Sequence, residues 1–476
     1  MISRVIPFII AVTLALVAGA LPTAAQDWQL VWSEEFDVDG LVDESKWSYD
    51  VGGGGWGNEE LQYYTERRSE NVRVEDGHLV IEAISEPFGG RDYTSGRIVT
   101  RGKGDWLYGR MEVRAMLPPG LGTWPAIWML STDSDYGVGY WPDTGEIDIM
   151  EAVGHDPGRT HSSVHTQALN SLNGSNPSNS IAVPDSYTEF HVYVLEWTPT
   201  RVTTFVDGEV NLVYERNGAT WQRWPFDRPF HLLLNLAVGG TWGGLQGVNP
   251  DDFPTKLVVD YVRVYEDAAG PPDVSFTNVS GPVQLEPGAE FSIEAVATDP
   301  VSDIESITIY QGDAPLAAAL DASTTAVVED VHPGCYDVRA VAVDSDGWTG
   351  TSDVIPVTVG ASCGQAPYLM RAHRIPGRIE AEHYDLGGPG VAFTDLSGNN
   401  TGGGFREAEA VDIGPSLDVG SGYRIQDVTL REWVEYTAHV EQGGLYRLIG
   451  RVTALQDGSF SVSVNGEELP DPFTYT

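Results

Sequence analysis

Short runs in which apolar and polar residues alternate recur from Trp28 almost to the end of the chain. HLVIEAI (78–84), GRMEVRAML (109–117), FHVYVLEW (190–197), VTTFVDGEV (202–210), FHLLLNLAV (230–238) and KLVVDYVRVYE (256–266) each read as one strand. PPGLG and NPDD read as turns between them. The apolar signal has period two, and no series of amphipathic helices accompanies it. The pattern therefore predicts an all-β chain whose first large unit is an antiparallel sandwich rather than alternating α/β units.

Breaks in this pattern divide the chain. Residues 26–267 are rich in tryptophan and form the large unit; AAGPPD (268–273) is a linker. Residues 274–360, with AEFSIEAVATD, IESITIYQG, CYDVRAVAVDSDG and SDVIPVTVG, predict a small sandwich, immunoglobulin-like in size and pattern only. A second linker (361–372) leads to a glycine-rich β segment (373–476) with strands at IEAEHYD, EWVEYTAHV, LYRLIGRV and GSFSVSVNG. Residues 1–25 read as a secretory signal: MISR, an apolar run, then small residues in PTAAQ. An uncleaved membrane anchor is the rival, against which Pro7 and the small-residue exit argue. No later stretch is apolar for long enough to span a bilayer, so a secreted chain without stable membrane insertion is expected.

Composition narrows the partners. Twenty-seven Lys and Arg stand against 69 Asp and Glu, a formal charge of -42, which argues against nucleic acid and suits a neutral substrate better than a sulfated one. The two cysteines, Cys335 and Cys363, predict one disulfide in an exported chain.

Candidate chemistry concentrates in GEIDIMEAVGHDP (145–157), with Glu146, Asp148 and Glu151. On a regular strand the first two share a face and the third does not. WPAIWML and EIDIMEAVG, with GGGWGNEELQYY upstream and LLLNLAVGGTW downstream, resemble the laminarinase-like branch of glycoside hydrolase family 16 over roughly residues 28–266. The resemblance implies a concave β-jelly roll that cleaves β-linked polysaccharide, typically β-1,3-glucan, with retention of configuration. That chemistry needs two carboxyl groups about 5–5.5 Å apart. Glu151 must then rejoin the face of Glu146, and a β-bulge among Ile149, Met150 and Glu151 would do so.

The family motif implies Glu146 as nucleophile, Glu151 as acid and then base, and Asp148 between them. A solvated strand face or a calcium site would also use acids, but the interleaved Ile147, Ile149 and Met150 fit an active face over a core. Trp124, Trp128 and Trp242 resemble cleft residues that stack on sugar; Asn58, Glu59 and Arg97 resemble its polar donor side. His165 matches a position near the acids, and His161 with His165 leaves a zinc pair open, without a clear third ligand. The family often carries a structural calcium on the convex side, held by backbone carbonyls and one carboxylate, for which Glu35, Gly77 and Asp260 stand at the matching positions. No cofactor is expected in catalysis.

RIPGRIEAEHYDLGGPGVAFTDLSGNNTGGGFREAEAVDI and REWVEYTAHVEQGGLYRLIGRV resemble a family 6 carbohydrate-binding module, with Glu380 and Glu382 at its ion-binding acids and Tyr423 as a sugar platform. Asp427 departs from the usual aromatic residue, and the module reads as incomplete. The expected partner is a β-glucan, met by a monomer. Mixed-linkage glucanases and agarases share this chemistry, and glucan-recognition proteins share the fold but commonly lack one or both glutamates.

Overall fold

The computed structural model describes residues 28–475 apart from 134–135, 138, 218–219, 269, 362, 417–421 and 455–456. The expected signal peptide at 1–25 lies outside the described residues. Alternation in the sequence becomes alternation in space: Gly109–Met116 buries every second residue and leaves the others half-buried. The described residues are all-β apart from single helical turns, as the periodicity predicts.

Two large sheets stack in the first unit. The backing sheet runs, in spatial order, Glu209–Glu215, Arg201–Val206, His191–Trp197, Gly109–Met116, Thr255–Asp267, His78–Phe88, Arg91–Ser95 and Gln62–Tyr64. The site sheet runs Ser178–Ala182, Arg159–His165, Glu146–Glu151, Thr123–Ser131, Phe230–Val238, Arg97–Val99 and Ser48–Tyr49. Phe230–Val238 lies at the centre and is buried on both faces. Its Phe230, Leu232, Leu234, Leu236 and Val238 enter the common core between the sheets, against Met111, Val113, Leu257 and Val259 of the backing sheet. Each such aliphatic side chain contributes about 1.5–3 kcal/mol by leaving water, which fixes the register of the whole site sheet.

One predicted strand is two. VTTFVDGEV divides into Arg201–Val206 and Glu209–Glu215, antiparallel, with Val206 opposite Glu209. Asp207 and Gly208 have φ of 50° and 84°, the left-handed pair that a tight two-residue hairpin requires.

The second unit is a small sandwich. A three-stranded sheet (Asp273–Phe276, Phe291–Thr298, Ser323–Val328) faces a six-stranded one that includes Gly334–Asp344, Ile304–Gln311 and Ile355–Val359. Cys335 and Cys363 form the expected disulfide. The stretch 361–372 is not the open linker its composition suggests. Ala366 and Met370 enter the core of the small sandwich, while Tyr368 packs in the core of the terminal segment. Its hydroxyl accepts the Asp313 N–H at 3.0 Å, and the Arg406 guanidinium lies 4.4 Å from its ring.

Among the described residues, the terminal segment holds only two-stranded pairs. LYRLIGRV, expected as a strand, has no regular structure, and Leu445, Leu448 and Ile449 are exposed. Alternation marks what a strand could bury, but no neighbour among the described residues pairs with this one.

Candidate active site

The parity problem of the acid strand Glu146–Glu151 is solved by one extra residue. Against Thr123–Ser131, Trp128 faces Asp148 and Ile127 faces Met150, so Ile149 is unpaired. Against Arg159–His165, the ladder likewise shifts between Asp148, opposite Ser163, and Glu151, opposite His161. Ile149 and Met150 are consecutive, yet both are buried in the same core. That bulge returns Glu151 to the face of Glu146 and Asp148, at the place where the spacing predicts it.

The three acids differ in how they are held. Asp148 is 2% exposed and its Oδ2 accepts from Ser163 Oγ, with His165 Nε2 at 3.2 Å. His165 Nδ1 accepts the Ser171 N–H at 3.2 Å, so its Nε2 carries the proton aimed at Asp148. Burial pulls the His165 pKa down, but the hydrogen bond and charge of Asp148 outweigh it and the net direction is up. Glu146 and Glu151 are half-buried side chains facing the cleft.

Burial pushes the Glu146 carboxyl well above the ordinary range, and the charge and hydrogen bond of Asp148 add to this; Trp141 and the Arg97 charge oppose it. Burial also lifts Glu151 well above that range, helped by the charges of Asp148 and Glu146 and opposed by Trp124 and His165. Carboxyls this crowded cannot all ionise, so the cluster holds a proton near neutral pH.

Aromatic walls flank the acids. Trp124 Nε1 donates to Glu151 Oε1 at 2.8 Å, and Trp242 packs edge-on against Trp124, with centroids 5.6 Å apart. His161 continues this wall, 5.0 Å from Trp242, with Nε2 3.4 Å from Asp156. On the other side the Arg97 guanidinium lies between the rings of Trp56 and Trp128, 4.8 Å from each, and its Nε is 2.8 Å from Asp50.

Behind Trp128 runs a buried polar chain. Trp128 Nε1 donates to Asn235 Oδ1 at 2.7 Å, Asn235 Nδ2 donates to Tyr64 OH at 3.1 Å, and Tyr64 OH donates to Glu60 Oε2 at 3.2 Å. Gln62 Nε2 and Asn58 Nδ2 also donate to Glu60.

The expected site residues thus gather around one face, with one exception. Asn58, Arg97, Trp124, Trp128, His165 and Trp242 join the acids or their walls. Glu59 is exposed at φ 58°, and its neighbour Glu60 is the acid in the buried chain. The choice of Glu59 comes from the family resemblance, and the backbone there is left-handed at Trp56 and Glu59. Sequence reasoning also misses Trp141, Ser163 and Asn235; the one visible signal is a single asparagine inside the apolar run LLLNLAV.

Metal readings fare differently. Donor atoms of Glu146, Asp148 and His165 lie within 4.8 Å of one another. His165, however, commits Nδ1 to Ser171 and its Nε2 proton to Asp148, leaving no lone pair for a cation. His161 and His165 turn to different partners, so they do not form a zinc pair. At the three positions expected for a structural calcium, Glu35 and Gly77 would offer backbone carbonyls, which the pairing of the Glu35 carboxylate with Arg263 at 2.9 and 2.8 Å leaves free, while the one carboxylate, Asp260, pairs with Arg114. In the terminal segment Glu380 pairs with Arg378 at 2.8 Å, and Glu382 accepts the Tyr423 N–H at 3.2 Å.

A family model for glycosyl hydrolases family 16 matches residues 59–263. The chain is 58% identical over 246 residues to a beta-glucanase of Rhodothermus marinus, covering 51% of this chain and 86% of that one. It is 37% identical over 257 residues to a glucan endo-1,3-beta-glucosidase of Cryptopygus antarcticus, covering 50% and 91%. The solved laminarinase of Rhodothermus marinus superposes with a TM-score of 0.50 at 57% identity, over 51% of this chain and 98% of that one. With its acid strand, bulge and tryptophan walls inside the matched region, the chain belongs to glycosyl hydrolase family 16.

Proposed function

We propose that this chain is an exported endo-β-1,3-glucanase that hydrolyses laminarin-type β-glucan with retention of configuration. The observation that carries this reading is the bulge at Ile149, which turns Glu146, Asp148 and Glu151 to one face beneath Trp124 and Trp128. The printed names of the relatives, a beta-glucanase and a laminarinase, support the substrate class.

In this reading Glu151 holds the proton that burial and the Asp148 charge favour, and gives it to the departing glycosidic oxygen. Glu146 attacks the anomeric carbon as that bond breaks, forming a glycosyl-enzyme ester. The Arg97 charge and Trp141 favour the ionised Glu146 that attack requires. Glu151, now a carboxylate stabilised by the Trp124 N–H, takes a proton from water as the water cleaves the ester and regenerates Glu146. Ser163 and His165 hold Asp148 between the two. Each step uses side chains of the chain alone, with no cofactor.

The resemblance of the terminal segment to a family 6 carbohydrate-binding module supports a glucan-contacting role for it, and Tyr423, half-buried and stacked on Phe405 at 4.8 Å, is its candidate sugar platform. Incubating the purified chain with laminarin, mixed-linkage β-glucan and agarose, and recording the first anomer released by NMR, tests the reading. Laminarin cleaved fastest with the β-anomer first is the expected result. An inverted first product overturns the roles of Glu146 and Glu151, and preference for agarose overturns the substrate.

A further inference from the structure

A groove of about 390 Å³ outside the cleft gathers two tryptophans that the glucanase reading does not use. It lies between the strand Trp28–Glu34, the loop 100–106 and the end of Thr255–Asp267, and Val31, Trp32, Lys103, Asp105, Trp106 and Glu266 line it. Trp28–Glu34 pairs with Thr255–Asp267 through a bulge. Leu30 faces Tyr265 and Trp32 faces Val264, so Val31 is the extra residue. A bulge re-aims the side chains beside it. Val31 stands exposed, and the half-buried Trp32 meets Trp106 edge-on with centroids 5.4 Å apart. Gly104 makes room for that ring, since a Cβ there would sit 2.6 Å from Trp106 Cη2. Lys103 Nζ pins the loop by donating to the carbonyls of Glu44 and Trp47 at 2.5 and 2.7 Å.

The polar groups around these rings suit a sugar. Trp124 and Trp128 spend their N–H groups on Glu151 and Asn235, and those of Trp47, Trp141 and Trp224 are buried without a partner. The N–H groups of Trp32 and Trp106 do neither among the described residues, so both are open to solvent. Glu266 and Asp105 are exposed beside them, and Asp105 is fixed by the Gly102 N–H at 3.1 and 3.0 Å and by the Thr132 hydroxyl at 2.9 Å. A pyranose has apolar C–H faces ringed by hydroxyls that donate and accept, and it matches flat indoles with free N–H groups between fixed carboxylates. An apolar partner would leave those groups unpaired, and a polyanion would meet a chain of charge -42.

The groove also adjoins the cleft. Thr132, which donates to Asp105, directly follows the strand Thr123–Ser131 that carries Trp124 and Trp128. Arg101, from the groove loop, donates to Thr132 O at 2.8 Å and lies 5.7 Å from the ring of Tyr140, the neighbour of Trp141. From Trp128 to Thr132 the strand runs roughly 14 Å at about 3.4 Å per residue, a separation that one polymer chain bridges.

We propose that this groove is a second glucan-binding site on the catalytic sandwich, with Trp32 and Trp106 as its walls and Asp105 and Glu266 as acceptors for sugar hydroxyls. The proposal rests on the glucanase reading. A polymer held in the groove while the cleft works on another stretch of it raises the local concentration of substrate at the acids.

The test is a β-1,3-linked glucose hexasaccharide titrated calorimetrically into the full chain carrying Glu146→Gln, beside the same chain with Val31→Arg or Trp106→Ala added. Each addition should remove one equivalent, and binding to insoluble β-1,3-glucan in a depletion assay should weaken about threefold or more. Val31 is exposed on the bulge, so an arginine there covers the groove without entering the core and provides the comparison should Trp106→Ala fail to fold. Unchanged stoichiometry and depletion in the variants that fold overturn the proposal and leave the glucanase reading standing. A parent chain that binds no hexasaccharide overturns both. A dimer of the parent chain that Val31→Arg separates, with glucan binding unchanged, assigns the groove to a second copy and overturns the proposal as well.

Discussion

Two groups of three acids lie in this chain, one on the cleft face of the catalytic sandwich and one at the junction loops by which the small sandwich meets it, where Trp348 packs on Tyr108. In the cleft, Asp148 receives a hydroxyl and an imidazole on one oxygen, and Glu151 receives an indole N–H. Those donors are side chains from neighbouring strands, and the acids they leave in contact share protons. At the junction Asp299 and Asp344 each take two amides of their own turns on one oxygen, while Asp346 takes the Ser302 hydroxyl. The contrast teaches that the number of acids does not set the chemistry of a cluster. The source and direction of its donors do: side-chain donors across a ladder tune proton affinity, and local turn amides satisfy one oxygen of Asp299 and of Asp344 and leave the other without a hydrogen-bond partner.

The sharpest break of the comparison is neutralisation of a cleft acid. Glu146→Gln and Glu151→Gln should each lower laminarin turnover by about 10³-fold or more, measured as reducing ends released, while the fold persists. The same variants should unfold at higher temperature than the wild type near pH 7. In the folded chain Glu146, Glu151 and Glu60 keep their protons above the ordinary value of 4.5, whereas the unfolded chain releases them there. Between those pH values the unfolded state binds fewer protons, so stability falls as pH rises, and removing Glu146 should flatten that slope in melts from pH 4 to 8.

Ser163→Ala comes next. It removes the hydroxyl from Asp148, and kcat should fall about tenfold with KM little changed, accompanied by a displaced pH–rate profile. Glu60→Gln and Glu59→Gln form the finest test. Replacing the Glu60 carboxyl should weaken the chain behind Trp128 and raise KM several-fold, and the exposed Glu59 should tolerate the change with less than about twofold effect.

Much of this was legible in the residues. Period-two runs placed the strands of both sandwiches, and the mismatch between Asp148 and Glu151 located the bulge. Three things were hidden, each for a physical reason. The resemblance marks a stretch rather than the side chain that turns inward, and backbone that is left-handed at Trp56 and Glu59 gives no alternation to decide between Glu59 and Glu60. A strand pattern records one residue series but not its hydrogen-bonding neighbour, so LYRLIGRV reads the same paired or unpaired. Linker composition at 361–372 outweighed Tyr368 and Met370, whose burial depends on surfaces distant in sequence.

That packed stretch sets how the chain can search a polysaccharide. A flexible tether lets a binding module roam, and its local concentration near the enzyme falls as the tether lengthens. Here Ala366, Tyr368 and Met370 leave no slack between the small sandwich and the terminal segment. Any glucan held by that segment therefore meets the sandwich at a fixed bearing, and the reach of the tail is a matter of molecular dimensions rather than of diffusion on a leash.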